Sequence, residues 1–247
     1  DAGILRDGFS FQAGAGGIAL AFAQFLRGMM EQAGVRARFI RGGSTQYLVS
    51  MLEDGLTDYI LDGQTFDLEG VRSMRENPGH LNTSPFTSYN YHGKGNFASM
   101  VDVVVLGATE VDVDFNANVV THSDGRLLHG IGGWQNCLSA RCTVLALPSL
   151  RDRIPVVVDR VTTLCGPGEL IDVVATERGL CINPAREDLL EAARSTSVPI
   201  LEIRDLKKQV DRLCGGAPAA PDLGDEFVAA IQWVDGTTLD GVRRVKS

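Results

Sequence analysis

Glu110, Asp112 and Asp114 alternate with Val111, Val113 and Phe115, and the pattern continues through Asn116, Ala117, Asn118 and Val119. Strict period-two alternation predicts one half-buried strand over 111–119, with Glu110, Asp112, Asp114, Asn116 and Asn118 sharing its polar face. Neighbours on that face stand about 6.5–7 Å apart along the chain. Three carboxylates so placed repel, which makes one of them a candidate nucleophile or proton shuttle. A solvated face without chemistry has the same pattern. A second candidate is His129-Gly130-Ile131-Gly132-Gly133-Trp134. Closely spaced glycines let backbone N–H groups converge, and two such donors can hold a developing oxyanion. A tight turn accounts for them equally. The third, Gly14-Ala15-Gly16-Gly17-Ile18-Ala19, matches G-x-G-x-x-[GA] ahead of a helical pattern and could seat a phosphate on the helix N-terminus. A dinucleotide site also needs an acidic residue about 20 positions on. Arg41 stands there instead, so an oxidoreductase reading would point to NADP. Arg151, Arg153, Arg160, Arg178 and Arg186 follow the central strands and suit an anionic substrate or ordinary surface charge balance.

The elements that must position these residues alternate in type. Ile18, Phe22, Phe25, Leu26, Met29, Met30 and Ala33 recur at helical spacing, and Gly34 is a stop. A strand is expected over 35–40, a short helix with Tyr47, Leu48, Met51 and Leu52 on one face, a strand over 59–61 and a helix over 68–75 that ends before Pro78. Residues 79–95 are polar and aromatic without periodicity and are expected to form a long loop. Val101 to Leu106, apolar except at Asp102, reads as a strand covered on both faces. Further strands are expected at 142–147, 156–158, 171–176 and 199–203, and helices at 187–193 and 205–213. Gly215 to Pro221 reads as a linker, and the segments flanking Asp235-Gly236 as a terminal hairpin. The order predicts an α/β fold with an open, mainly parallel sheet flanked by helices and a C-terminal β-hairpin.

The chain has 247 residues with a net charge of -8, a poor match to nucleic acid or an anionic membrane surface. No apolar run approaches the roughly 18–20 residues that span a bilayer. Five cysteines without CxxC spacing indicate reduced thiols in a cytoplasmic protein. Four histidines without HxxxH or HExxH spacing leave no metal site expected. The start at Asp1 without Met reads as a piece of a longer chain.

The ordered set GFSFQAGAGGIALA, VDVVVLGATEVDVDFNANV, GIGG, RIPVVVDRVTT, PGELIDVVATERG, INPAREDL and DGTTLDGVRRV resembles the second half of the citrate lyase alpha subunit, from about Phe9 to Val245. The resemblance implies a CoA-transferase-like (NagB/RpiA-type) fold. Residues 1–247 would be the C-terminal domain of a two-domain chain, with 216–247 as linker and hairpin, and the missing N-terminal domain would complete the site. It implies a citrate CoA-transferase that exchanges acetate for citrate on an acetyl-carrier thioester. The partners it implies are the lyase beta and acyl-carrier subunits in an oligomeric complex. No covalently bound cofactor is implied. The CoA-like phosphoribosyl-dephospho-CoA group of the carrier is a substrate. Glu110 falls where related CoA-transferases place their acyl-accepting glutamate. Gly132 and Gly133 would supply oxyanion N–H groups. Gly14, Gly16, Gly17, Asn116, Asn118 and Arg160 would bind substrate or the CoA-type group. Trp134 and Asn136 stand where relatives carry His and Asp, which opens two alternatives: a different carboxylic acid acceptor, or a non-catalytic assembly domain.

Overall fold

The structure, a computed structural model, describes residues 2–14, 16–90 and 96–246. Ala15 of the glycine cluster and residues 91–95 of the expected long loop lie outside the described residues. The chain divides into two compact units, 1–107 with 139–143, and 108–138 with 144–247.

The first unit is a run of βα repeats. Its elements are β1 (Phe9–Ala13), α1 (Gly17–Ala33), β2 (Ala37–Ser44), α2 (Gln46–Glu53), β3 (Ile60–Thr65), α3 (Leu68–Glu76), β4 (His80–Asn82), α4 (Pro85–Tyr89) and β5 (Val103–Leu106). The strands are parallel in the order β5-β1-β2-β3-β4. The order reverses between β1 and β5, and the chain leaves their C-terminal ends at Gly14 and Gly107. In open α/β sheets such a switch point is where ligands bind. β5 is buried at every position, as its unbroken apolar run requires. α1 stops at Gly34, whose φ of 65° lets its N–H turn back to the Met30 and Glu31 carbonyls. Ala23, Leu26 and Met30 of α1 are buried, and Phe22 meets Phe11 of β1 edge-on at 6.1 Å. The apolar face expected of α1 is wider than the one buried. Ile18, Phe25 and Met29 are exposed, because a straight helix can lay only one stripe on a sheet. The expected loop over 79–95 instead begins with β4 and holds α4, capped by Ser84 Oγ accepting the Thr87 N–H, with Pro85 at the first helical position.

The second unit contains β6 (Glu110–Asp112), β7 (Ala117–Asn118), α5 (Trp134–Cys137), β8 (Thr143–Ala146), β9 (Leu150–Arg151), β10 (Ile154–Pro155), β11 (Val157–Val158), β12 (Val173–Thr176), β13 (Gly179–Ile182), α6 (Glu187–Ala193), α7 (Ile203–Cys214), β14 (Leu223–Gln232) and β15 (Thr238–Val245). β12 runs parallel to β8, and β13 returns antiparallel to β12. The strand expected over 199–203 reduces to a bridge from Ile200 to Leu180, and α7 already begins at Ile203. α7 buries Ile203, Leu206 and Val210 and packs on β10 and β11. β14 and β15 form the terminal antiparallel hairpin. Among the described residues, no helix is long and apolar enough to cross a membrane.

The single strand expected over 111–119 is instead a tight hairpin. β6 pairs with β7 in antiparallel register, Glu110 opposite Asn118 and Val111 opposite Ala117. Asp112 makes the turn: its Oδ1 accepts the N–H groups of Asp114 and Asn116, both at 3.0 Å, and Phe115 takes a φ of 67°. Short acids and amides cap their own backbone in this way, which also explains their alternation with apolar residues. The turn packs tightly on Gly168, where an added Cβ would stand 2.0 Å from the Asp114 carbonyl oxygen. The obstacle is backbone and cannot rotate away. Gly168→Ala is therefore expected to destabilise the protein by about 2–3 kcal/mol, read from the denaturant midpoint, as overpacking in a tight site does.

Candidate active site

The polar face expected around Glu110 is exposed only at Asp114. Glu110 and Asp112 are each only 2 % exposed. The three carboxylates are also dispersed to separate partners rather than stacked on one face. Asp114 pairs with Arg204 at 2.8 Å. Asp112 takes the turn amides and the Val161 N–H at 3.3 Å. Glu110 has its own set of donors. Its Oε2 accepts from Asn118 Nδ2 at 3.0 Å and from the Thr162 N–H at 2.9 Å, and its Oε1 accepts from the Thr162 hydroxyl at 3.2 Å. A carboxylate so engaged is held in one orientation.

Those donors are themselves fixed. Asn118, wholly buried, shares its Nδ2 with the Thr121 hydroxyl at 2.8 Å, and its Oδ1 accepts the N–H groups of Val120 and Thr121. Thr121 reaches Thr163 Oγ1 at 3.0 Å. On the entry side, Arg151 donates to the carbonyl oxygens of Thr109 and Ala108 at 2.6 and 2.5 Å, clamping the turn that leads into Glu110. Burial pulls the Arg151 pKa down, and the nearby Glu110 carboxylate works against that.

Segment 161–164 carries the main-chain donors for both acids and is pinned by the terminal hairpin. The Leu164 N–H donates to Asp240 Oδ2 at 2.7 Å. Asp240→Ala is expected to lower stability by about 1–2 kcal/mol, the cost of one unmade hydrogen bond to a charged acceptor. It should also speed hydrogen exchange at the Leu164 and Thr162 amides. Unchanged exchange at both would show that the hairpin does not hold this segment.

Glu110 lies in the wall of a cavity of about 530 Å³. The wall also includes Arg160, Thr162, Lys207, Asp240, Arg243 and the stretch 217–221. A second cavity of about 440 Å³ is lined by Asp112, Asn116, Arg160 and Asp240, among others. The structure thus brings together Glu110, Asn118 and Arg160, and puts Asn116 beside them in the turn. Asn118 holds the Glu110 carboxylate, and Asn116 Oδ1 takes the Gly168 N–H at 2.9 Å. Gly132 and Gly133 line neither of these two cavities. They precede α5, Gly132 at a φ of 57°. Trp134 packs on Gly166, its ring 2.6 Å from where a Cβ would stand, and is in neither cavity wall. In the first unit, Gly14, Gly16 and Gly17 have no positive φ, and a Cβ on any of them meets nothing nearer than 3.8 Å. Local packing therefore does not require glycine at these positions. Arg41 is fully buried, its guanidinium 4.8 Å from the Tyr89 ring, rather than presented to a nucleotide phosphate. Sequence reasoning missed Thr162, Thr163 and Asp240. Among the described residues, no group of three or more His, Cys, Asp or Glu is placed to hold a metal ion. Cys137, Cys142, Cys165 and Cys181 are buried, and burial pushes the Cys181 thiol up to about 12.

Comparison with known proteins gives consistent relatives. The citrate lyase alpha chain of Klebsiella pneumoniae is 38% identical over 246 residues, 99% of this chain and 48% of that protein. The Escherichia coli (strain K12) citrate lyase alpha chain is 36% identical over 247 residues, 100% of this chain and 48% of its own length. A solved structure of the alpha subunit of citrate lyase from Streptococcus mutans, in complex with citrate, superposes with a TM-score of 0.96 at 39% identity. The match covers 99% of this chain and 48% of that one. A malonate decarboxylase alpha subunit from Acinetobacter baumannii shares the fold, with a TM-score of 0.56 at 16% identity over 85% of this chain and 50% of its own. The chain spans about half the length of the curated relatives it matches. The family model for the citrate lyase alpha subunit (CitF) matches residues 1–245, and the chain belongs to that family.

Proposed function

We propose that the chain is the C-terminal part of an acyl transferase that exchanges acetate for citrate on the acetyl thioester of an acyl carrier protein. It would work in the cytoplasm beside lyase beta and carrier subunits. The observation that carries the reading is Glu110, a buried carboxylate with three fixed donors in the wall of a cavity that also presents arginines. The citrate-bound relative adds that such a subunit takes citrate.

In the chemistry proposed, a citrate carboxylate attacks the acetyl thioester carbonyl. The tetrahedral oxyanion collapses, the C–S bond breaks, and a mixed anhydride and the carrier thiolate result. The thiolate then attacks the citryl carbonyl and acetate leaves. Glu110 orients the acid and its charge, or itself takes the acyl group first. Gly132 and Gly133 have N–H groups that donate to no acceptor among the described residues and are assigned to the oxyanion. Gly14, Gly16 and Gly17 leave open backbone for the CoA-type group of the carrier.

The test is acetyl exchange from acetyl-CoA or acetyl-carrier to citrate by the full-length protein. No exchange by a folded full-length protein with any di- or tricarboxylate would end the reading. Hydroxylamine or borohydride trapping after acyl-CoA addition separates the two roles of Glu110. Modification at Glu110 marks a covalent intermediate, and intact acyl-CoA marks direct exchange.

A further inference from the structure

Hydrogen-bonding capacity in the Glu110 cavity is lopsided. Among its acids, Glu110 accepts three hydrogen bonds and Asp240 accepts the Leu164 N–H. Asp211 is paired with Lys207 at 2.6 Å, and Asp159 with the same Lys207 at 3.0 Å, its side chain out in solvent. Lys207 is thereby neutralised. The two guanidinium groups in the wall differ. The guanidinium groups of Arg160 and Arg243 make no hydrogen bond or ion pair with any described residue. Their neighbours on the hairpin are engaged, Arg244 with Glu226 at 2.8 Å and Lys246 with Asp222 at 3.0 Å. Arg243 instead stands 5.1 Å over the Phe227 ring. That contact uses the face of the cation and leaves its N–H fork free. The stretch 217–221 in the same wall adds only alanine and proline side chains, with no competing charge.

A guanidinium has five donors and no acceptor, and its fork matches a carboxylate. A cavity whose acids each meet a donor, and whose two guanidinium groups meet no described acid, suits a ligand rich in anionic oxygen. The geometry points to Arg160 and Arg243 as the residues that hold the non-reacting carboxylates of the acid acceptor, so that the site selects acids with two or more carboxylates. This assignment rests on the acyl-transfer reading for its place in the reaction, and on the cavity alone for binding. It also explains why a polyanion can lie beside the Glu110 charge: the repulsion is met by two cations that pair with no acid among the described residues.

The experiment is calorimetric titration of the full-length protein with citrate, tricarballylate and acetate, for wild type, Arg160→Gln, Arg243→Gln and the double variant. Each single variant should bind citrate and tricarballylate about tenfold more weakly and the double variant about a hundredfold, as loss of charge-assisted contacts predicts. Acetate affinity should stay within about twofold in all variants, since its one carboxylate is the reacting group and uses neither anchor. Arg244→Gln, whose partner is Glu226, should behave as wild type. In turnover, KM for citrate should rise while kcat stays within about threefold, the mark of lost uniform binding. Wild-type citrate affinity in both single variants overturns the assignment, as does a wild type that binds neither polycarboxylate. A wild type that binds citrate through these arginines but transfers no acyl group refutes the transferase reading and leaves this one standing.

Discussion

Glu110→Gln in the full-length protein is expected to cut acyl exchange by about a thousandfold, roughly 4 kcal/mol of transition-state stabilisation, while the fold is retained. The substitution keeps shape. The amide oxygen can still accept from Asn118 Nδ2 and the Thr162 N–H at the Oε2 position, and the new NH2 group can donate to the Thr162 hydroxyl oxygen at 3.2 Å. What disappears is the charge and the nucleophilic oxygen. Either role proposed for Glu110 needs one of these, so both routes predict the loss. Arg151 also loses the carboxylate that offsets its burial, and the cost is local to the clamp on Ala108 and Thr109. Glu110→Ala is the harsher change. It strands Asn118 and Thr162 donors in a buried site and should cost about 2–3 kcal/mol of stability besides the activity. The two variants together separate chemistry from folding. If Glu110→Gln retains exchange within about tenfold of wild type, Glu110 is a structural acceptor and the acyl centre lies elsewhere.

Much of the scaffold was legible because its signals are local. The helical spacing from Ile18 to Ala33 and the stop at Gly34 gave α1 within a residue, and the apolar run to Leu106 gave β5. Glu110 was found as a candidate from its place between that strand and the acidic alternation. The alternation itself misled, because a hairpin whose turn is tied by Asp112 shows the same period as one continuous strand. The warning was present in composition: Asp and Asn are depleted in strands and favoured in turns. Thr162 and Asp240 could not be found this way. They reach their partners across 52 and 76 positions of sequence, and no periodicity encodes that. The same holds for burial of charge. Arg41 reads as a candidate partner for an NADP phosphate, yet it is enclosed against Tyr89. Gly132 and Gly133 show the opposite case, a pattern plain in sequence that neither of the two cavities includes in its wall.

A buried network in the first unit, invisible to pattern reading, sets the largest expected effect on stability. Asp62 on β3 is fully enclosed. Its Oδ2 accepts from Ser44 Oγ at 2.6 Å and Thr65 Oγ1 at 2.7 Å and meets His80 Nε2 at 3.3 Å, and its Oδ1 accepts the Gln64 N–H at 2.8 Å. His80 Nδ1 contacts Ser73 Oγ at 3.0 Å, so the network ties β2, β3 and β4 to α3. A carboxylate only accepts, which puts a proton on His80 Nε2. Burial alone would raise the Asp62 pKa, but the bonds from His80, Ser44, Thr65 and Gln64 outweigh it and hold the carboxyl below its ordinary value. A depressed carboxylate contributes stability that is fully present above the unfolded pKa of about 3.9 and drains away as pH falls through the lower folded value. Asp62→Ala leaves four donors without their acceptor and should destabilise the protein by about 3–5 kcal/mol near neutral pH, measured by denaturant unfolding. Asp62→Asn keeps the volume and one acceptor, and should cost less. The pH series separates burial from charge, because the stability gap between wild type and Asp62→Asn must narrow as pH is lowered below about 4. A gap that stays constant down to acid unfolding would mean that the carboxylate charge contributes nothing and that Asp62 serves only to fill space between the strands.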